Sequence, residues 1–151
     1  MSRLIVLDSG VLSLLTHPHP MTNPESQACT AWLQRLRAAG DVFIIPEVTD
    51  YEVRREYLRR NSVTALRNLD LLVALLRFIP FASSGWRRAA ELWAWARSHG
   101  HITAPATDLN IDLLLAAQAQ LLAVPGVDVV IATTNVRHLA PFAAAQLWTA
   151  I

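Results

Sequence analysis

Three short runs of apolar, mostly β-branched residues, separated by long segments of helical pattern, constrain the fold of this chain most strongly. They cover Leu4 to Leu7, Val42 to Ile45 and Val127 to Ala132, the last of them interrupted by Asp128. A continuous apolar run such as Leu4 to Leu7 is typical of a strand that is buried on both faces. Because strands alternate with helices along the chain, the sequence predicts an α/β fold with a mostly parallel central sheet and helices on both faces.

Helices are expected between and after these strands. The predicted helices cover Val11 to Leu15, Pro24 to Ala39, Pro46 to about Arg60, Ser62 to Arg77, Ser83 to about Arg97, and Thr107 or Asp108 to Ala123. In this scheme Pro46 occupies a first helical position, and Ser83-Ser84 provides an N-cap. A brief extended piece at Phe78 to Phe81 and a last short strand at Gln146 to Thr149 complete the prediction. No linker or repeat divides the 151 residues, so we expect one domain over residues 1–151.

The composition excludes several classes of protein. With 53% hydrophobic and 17% charged residues, the chain can bury enough apolar surface to fold, which rules out an intrinsically disordered protein. Uninterrupted apolar stretches such as Leu71 to Leu76 are far shorter than the roughly 18 residues of a membrane span, so no membrane association is expected. Cys29 is the single cysteine, which precludes an intrachain disulfide and favours a reducing, cytoplasmic compartment.

Acidic and amide residues fall where the predicted strands end. Asp8 ends the first strand, Glu52 lies in the first two turns of the helix after the second, and Asn135 follows the third. Asp112 lies in the opening turns of the helix that leads into that third strand. Ligands of open parallel sheets bind beyond the carboxyl ends of the strands, so these side chains can converge on one rim.

Carboxylates gathered at one rim repel each other unless a cation holds them together. A hard ion such as Mg²⁺ or Mn²⁺ suits oxygen ligands, and it would support nuclease chemistry on a phosphodiester. Simpler roles remain open for each residue: Asp8 can be a turn or cap residue, and Glu52 a solvated helix residue. A phosphatase with Asp8 as its nucleophile would need a second Asp two residues later, where this chain has Gly10.

The arginines are unevenly distributed. All 13 basic residues are arginine, and nine of them lie between positions 54 and 97, against three acids. Four continue the helix that carries Glu52 and could guide an RNA backbone toward a metal: Arg54, Arg55, Arg59 and Arg60. The alternative is a solvated helix face on which Glu52 and Glu56 pair locally with Arg55, Arg59 and Arg60. Trp86, Trp93 and Trp95 on one predicted helix favour an apolar helix or dimer surface over base stacking.

Four segments, in order, resemble the PIN-domain ribonucleases, especially the VapC-like toxins of bacterial toxin–antitoxin pairs. They are Leu4-Ile5-Val6-Leu7-Asp8-Ser9-Gly10-Val11-Leu12, Ile45-Pro46-Glu47-Val48-Thr49-Asp50-Tyr51-Glu52-Val53-Arg54-Arg55, Asp112-Leu113-Leu114-Leu115-Ala116-Ala117-Gln118-Ala119 and Thr133-Thr134-Asn135-Val136-Arg137-His138-Leu139. Together they span nearly the whole chain.

The resemblance implies a single α/β/α domain that cleaves RNA endonucleolytically with Mg²⁺ or Mn²⁺. It implies that Asp8, Glu52 and Asp112 bind the metal, and that Asn135 stands where the family has a fourth Asp or, in many members, Asn. It also implies an antitoxin protein as partner, and the apolar, tryptophan-bearing surface suggests a homodimer. The alternative is a catalytically inactive PIN-like domain that binds protein or RNA.

Overall fold

The central sheet places β1 in its middle. The structure is a computed structural model that describes residues 2–101 and 106–151, and of residues 106–110 it describes the backbone alone. Within these residues five strands form the sheet: β1 (Leu4–Leu7), β2 (Val42–Pro46), β3 (Arg77–Ile79), β4 (Val129–Thr133) and β5 (Ala145–Leu147). Their spatial order is β3-β2-β1-β4-β5, and every pairing between neighbours is parallel. All five carboxyl ends therefore lie at one edge of the sheet.

Helices cover both faces of this sheet. In the same described residues they are α1 (Ser9–Leu15), α2 (Pro24–Ala38), α3 (Glu47–Arg59), α4 (Val63–Leu75), α5 (Ser83–Ser98) and α6 (Ala106–Leu122). Ile5 and Leu7 of β1 belong to a buried core shared with α1 to α4. Val6 points to the other face and packs with Leu115 of α6, and α5 packs on the outside of α6. The continuous apolar runs thus reflect strands buried on both faces, and the predicted α/β/α architecture is confirmed.

Two helix starts differ from the sequence prediction. Pro46 is the last residue of β2, paired with Ile79, and it is the N-cap of α3 instead of its first helical residue. Its φ of −69° and ψ of 144° suit both a strand end and a cap. The predicted Ser83-Ser84 cap is wrong as well, because Ser83 is already helical and the cap position is Ala82, which makes no side-chain cap bond.

An aromatic contact fixes the start of α5 in place of a serine cap. Phe81 and Trp86 flank the first turn, and their ring centroids lie 4.9 Å apart in an edge-to-face arrangement. These are the positions of a hydrophobic staple, which sets the angle at which a chain enters a helix. A Cβ on Gly85 would lie 2.9 Å from the Phe81 ring, so glycine lets the ring lie across this turn.

Other boundaries shift by a few residues. The extended piece expected at Phe78 to Phe81 is β3, which begins at Arg77 and ends at Ile79. Helix α6 already begins at Ala106, so Thr107 and Asp108 lie inside it, and their side chains fall outside the described residues. Across the described part of the chain, no helix combines the length and the apolar character that a bilayer span requires.

Candidate active site

Asp8 sits at the centre of the carboxyl edge. It follows β1 directly and caps α1, and its Oδ1 accepts a hydrogen bond from the Ser9 backbone N–H at 2.7 Å. Because Leu7 pairs with Ala132 in the parallel register, the next residue of β4, Thr133, lies beside Asp8. The buried Thr133 hydroxyl donates to Asp8 Oδ2 at 2.6 Å. Each carboxylate oxygen of Asp8 therefore accepts one hydrogen bond from a neighbouring residue.

Glu52 on α3 shares the electrostatic environment of Asp8. Burial raises the pKa of the Glu52 carboxyl, and repulsion from the negative charges of Asp8 and Asp112 raises it further. The Ser9 side chain donates a hydrogen bond to Glu52, and Arg55 attracts it; both effects lower the pKa but do not cancel the rise. The structure thus brings all three predicted carboxylates close enough to interact.

Asp112 enters the site from α6. Its Oδ2 lies 3.3 Å from Nδ1 of His138, and the side chains are 24% and 35% exposed. His138 ends a short 3₁₀ turn that follows β4. At this distance the His138 ring can hold the orientation of the Asp112 carboxylate.

Asn135 is at the same edge, with its side chain engaged in a turn. Its amide oxygen accepts a hydrogen bond from the Arg137 backbone N–H at 3.3 Å, which caps the 3₁₀ turn at Val136–His138. Its own backbone N–H donates to the Thr133 hydroxyl at 3.0 Å. By contrast, Asp128 precedes β4 and lies at the opposite edge of the sheet.

The donor set suits a hard divalent cation. Three carboxylates from α3, α6 and the end of β1 face a common region, and one of them is half-buried and disfavoured as an anion by the other two. A cation there would relieve this repulsion. Among the described side chains, no group of three His, Cys, Asp or Glu already has the spacing of a finished metal site. The chemistry of the residues fits the ion, and side-chain rotation would have to complete the coordination.

Two residues that support the site are not evident from the sequence. Thr133 belongs to the last of the four family-like segments, and only the parallel register of the sheet places it beside Asp8. Gly10 permits close packing of α1 on the end of β4, because a Cβ there would collide with the Thr134 hydroxyl and lie 3.0 Å from its Cγ2. A side chain at position 10 would require either the Thr134 side chain or α1 to shift.

The four arginines predicted to contact RNA do not behave alike. Arg54 binds Asp50 at 2.9 Å and Asp70 at 2.8 Å. Glu56 accepts hydrogen bonds from Arg59 and Arg60, which lower the pKa of that carboxyl to about 2. The guanidinium of Arg55 lies 5.2 Å from the centroid of the Tyr51 ring. Local pairing, the alternative weighed for this helix face, thus describes Arg59 and Arg60.

The tryptophans of α5 and the single cysteine lie outside the acidic rim. Trp86, Trp93 and Trp95 are all 39% exposed or more. The Trp95 ring is stacked with His99 and His101, at centroid distances of 4.5 and 4.9 Å. Cys29 is fully buried, as expected of a small apolar residue, and burial raises the pKa of its thiol to about 12.

Known proteins resemble this chain in sequence pattern and in fold. The PIN domain family matches residues 5–139, whereas none of the curated proteins matches the chain. One similar structure is that of VapBC2 from Rickettsia felis, which was solved bound to a DNA fragment from the VapBC2 promoter. The matched chain is 15% identical to this one, with a TM-score of 0.68. The match covers 96% of this chain and 98% of that chain. VapBC-1 from nontypeable Haemophilus influenzae is 17% identical with a TM-score of 0.68, and the match covers 97% of this chain and 98% of that chain.

DNA-bound VapBC from Salmonella typhimurium gives 16% identity, a TM-score of 0.63, and coverage of 98% and 99%. At such low identities these structures establish the shared fold. The family match extends over most of the sequence and includes Asp8, Glu52, Asp112 and Asn135. This chain belongs to the PIN domain family.

Proposed function

We propose that this protein is a metal-dependent endoribonuclease that acts as the toxin of a toxin–antitoxin pair. The observation that carries the proposal is the cluster of Asp8, Glu52 and Asp112 at the carboxyl edge of a PIN fold, with Glu52 half-buried and repelled by the other two. Keeping such a cluster ionised is unfavourable in a protein that has no use for a cation.

Asp8, Glu52 and Asp112 are the residues that would hold Mg²⁺ or Mn²⁺. When bound, such an ion polarises a phosphoryl oxygen and lowers the pKa of water. Thr133 and the Ser9 backbone N–H fix the orientation of Asp8. Asn135 contributes a neutral amide that can orient a water molecule at the rim without adding negative charge.

The proposal is tested by incubating the purified protein with structured RNAs and Mg²⁺ or Mn²⁺. We expect cleavage that EDTA abolishes, and a loss of at least a hundredfold in Asp8→Asn, Glu52→Gln and Asp112→Asn. Asp128→Asn is the matched control, because it makes the same chemical change at the opposite edge of the sheet. Equal cleavage by wild type and Asp8→Asn would show that the proposed site is wrong.

A role as a toxin predicts an effect in cells. Induced expression of the wild-type chain should arrest bacterial growth, and Asp8→Asn should relieve the arrest. The similar structures from three bacteria are described as VapBC, and this supports a cognate antitoxin as partner. Growth arrest of equal strength by Asp8→Asn would contradict toxicity through RNA cleavage.

A homodimer is proposed through the exposed aromatic surface. Tyr51, Phe81, Trp86 and Leu114 line an apolar groove of about 470 Å³, and Trp86 is 59% exposed. Contiguous apolar surface of this kind marks association sites. Light scattering should give a dimer mass that Trp86→Ser reduces to that of a monomer; a wild-type protein that is only monomeric would exclude the homodimer.

An inactive, PIN-like binding domain is the second candidate. It is favoured by the Asn135 amide oxygen, which caps a turn, and by the unfinished coordination geometry among the described side chains. Isothermal titration with Mn²⁺ separates the two functions. Binding that Asp112→Asn abolishes supports the enzyme, whereas absence of any Asp112-dependent binding supports the inactive domain.

A further inference from the structure

A polar groove leads away from the acidic rim between α1 and α3. Its volume is about 440 Å³, and it begins at Ser9 and Glu52, next to Asp8. Along one wall follow Ser13 and His17, and Arg55 and Arg60 belong to the other. We call this the α1–α3 groove. It is continuous with the proposed catalytic site, so a chain bound at the site can extend into it.

The wall formed by α1 is a row of hydrogen-bonding side chains. Ser9, Ser13 and His17 are spaced four residues apart, which places successive members on one side of a helix. His17 lies just beyond the end of α1, and its Nδ1 accepts a hydrogen bond from the His19 backbone N–H at 3.0 Å. The tautomer that accepts at Nδ1 carries its proton on Nε2, so this ring can donate to an anion.

The wall formed by α3 supplies positive charge. Arg55 lines the groove and has a contact with the Tyr51 ring. Arg60 uses Nε to bind Glu56 at 2.7 Å, and Arg59 binds the same carboxylate with Nε and a terminal nitrogen. Glu56 also lines the groove, and because two arginines meet this one carboxylate, the three side chains together carry one net positive charge.

A buried hydrogen bond holds the two walls together. Thr16 Oγ1 and Tyr57 Oη are 2.6 Å apart, and Thr16 also donates to the Leu12 carbonyl at 2.8 Å. This contact joins the C-cap residue of α1 to the last turn of α3. The groove is thus preorganised, which lowers the entropic cost of binding a flexible strand.

We propose that the α1–α3 groove holds the sugar–phosphate backbone of single-stranded RNA on one side of the cleaved bond. Arg55 and Arg60 contact phosphates as cations, and Ser13 and His17 donate hydrogen bonds to phosphate oxygens. These are positioning residues and not catalytic ones. The inference rests on the proposed RNA substrate, and it separates Arg55 and Arg60 from Arg54, whose guanidinium is occupied by two aspartates.

Binding of RNA in EDTA tests the groove separately from cleavage. The full chain is titrated into a short fluorescein-labelled single-stranded RNA of mixed sequence, and fluorescence anisotropy gives Kd over a range of salt concentrations. Each phosphate contact on a single strand contributes about 0.7 to the slope of log K against log salt. The double variant Arg55→Gln/Arg60→Gln should therefore lower the slope by about 1.4 and weaken binding at least tenfold. Ser13→Ala should weaken binding severalfold at an unchanged slope, because it removes a hydrogen bond and no charge.

Arg37→Gln is the matched control, since Arg37 is exposed in the last turn of α2, which leads into the opposite edge of the sheet. It should bind RNA like the wild type. Unchanged Kd and slope in the double arginine variant, or equal losses in Arg37→Gln, would overturn the groove. If one of these two results is obtained and the protein still cleaves RNA with Mn²⁺, the proposed role of the groove is wrong and the proposed function is unaffected. Groove-dependent binding without cleavage would support the groove and refute the nuclease.

Discussion

Replacing Thr133 with valine removes one hydroxyl group from the interior of the site and preserves the shape of the side chain. Thr133 is fully buried at the end of β4. Its hydroxyl has a single proton, which the 2.6 Å contact to Asp8 Oδ2 takes. The same oxygen accepts the Asn135 backbone N–H at 3.0 Å. Valine therefore tests the hydrogen bonds of Thr133 separately from its packing.

The expected size of the effect follows from these two contacts. A hydrogen bond to a charged group contributes about 1.5–3 kcal/mol to stability. The second contact adds little, because Asn135 is exposed and water can replace the lost acceptor. For a chain of this size each kcal/mol corresponds to roughly 2–4 °C in Tm, so we expect Tm to fall by about 3–12 °C. Loss of such an orienting partner costs roughly 10–100-fold in metal affinity or activity.

Thermal unfolding at neutral pH and Mn²⁺ titration measure the two consequences. Thr64→Val is the control, since it makes the same substitution at an exposed residue of α4. In an Asp8→Ala background the effect of Thr133→Val on stability should largely disappear, because the charged acceptor is absent. Equal stability and equal Mn²⁺ affinity in Thr133→Val and Thr64→Val would refute the role assigned to the Thr133 hydroxyl.

Three further predictions concern other residues of the core and the site. Burial and the charge of Asp8 raise the pKa of Glu52 in the folded state. Without metal, the folded protein should therefore lose stability as pH rises from about 4.5 through that raised pKa. Glu52→Gln should flatten this pH dependence in urea unfolding, and an unchanged pH profile would contradict the prediction. Gly10→Ala should lower stability by about 1–3 kcal/mol through its collision with Thr134 and reduce cleavage, whereas a variant as stable as the wild type would show that α1 can shift freely. With a thiol pKa of about 12, Cys29 should resist iodoacetamide at pH 8 and react after unfolding in urea; rapid labelling of the native protein would disprove its burial.

Much of the fold is predictable because its strands are short, apolar and separated by helices. The runs at Leu4 to Leu7 and Val42 to Ile45 match β1 and β2 to within one residue. The serine cap predicted for α5 is wrong, because an aromatic contact between Phe81 and Trp86 fixes the start of this helix instead. Only the folded chain reveals that contact.

The candidate site was partly predictable for a related reason. Acidic residues at strand ends could be placed on one rim from topology alone, and the structure brings Asp8, Glu52 and Asp112 into one electrostatic environment. The hydrogen bonds around them could not be predicted, because they depend on register and on turns. Thr133 beside Asp8 and the 3.3 Å contact between His138 and Asp112 are examples.

The position of β1 between β2 and β4 also decides when the site can assemble during protein synthesis. Asp8 is synthesised well before its partner Thr133, which lies 125 positions later in the chain. Bringing together segments so distant along the chain closes a long loop and is intrinsically slow. The carboxylate cluster therefore lacks its support until β4 has been translated and has paired with β1. A ribosome-bound fragment that stops before β4 therefore cannot form the complete site.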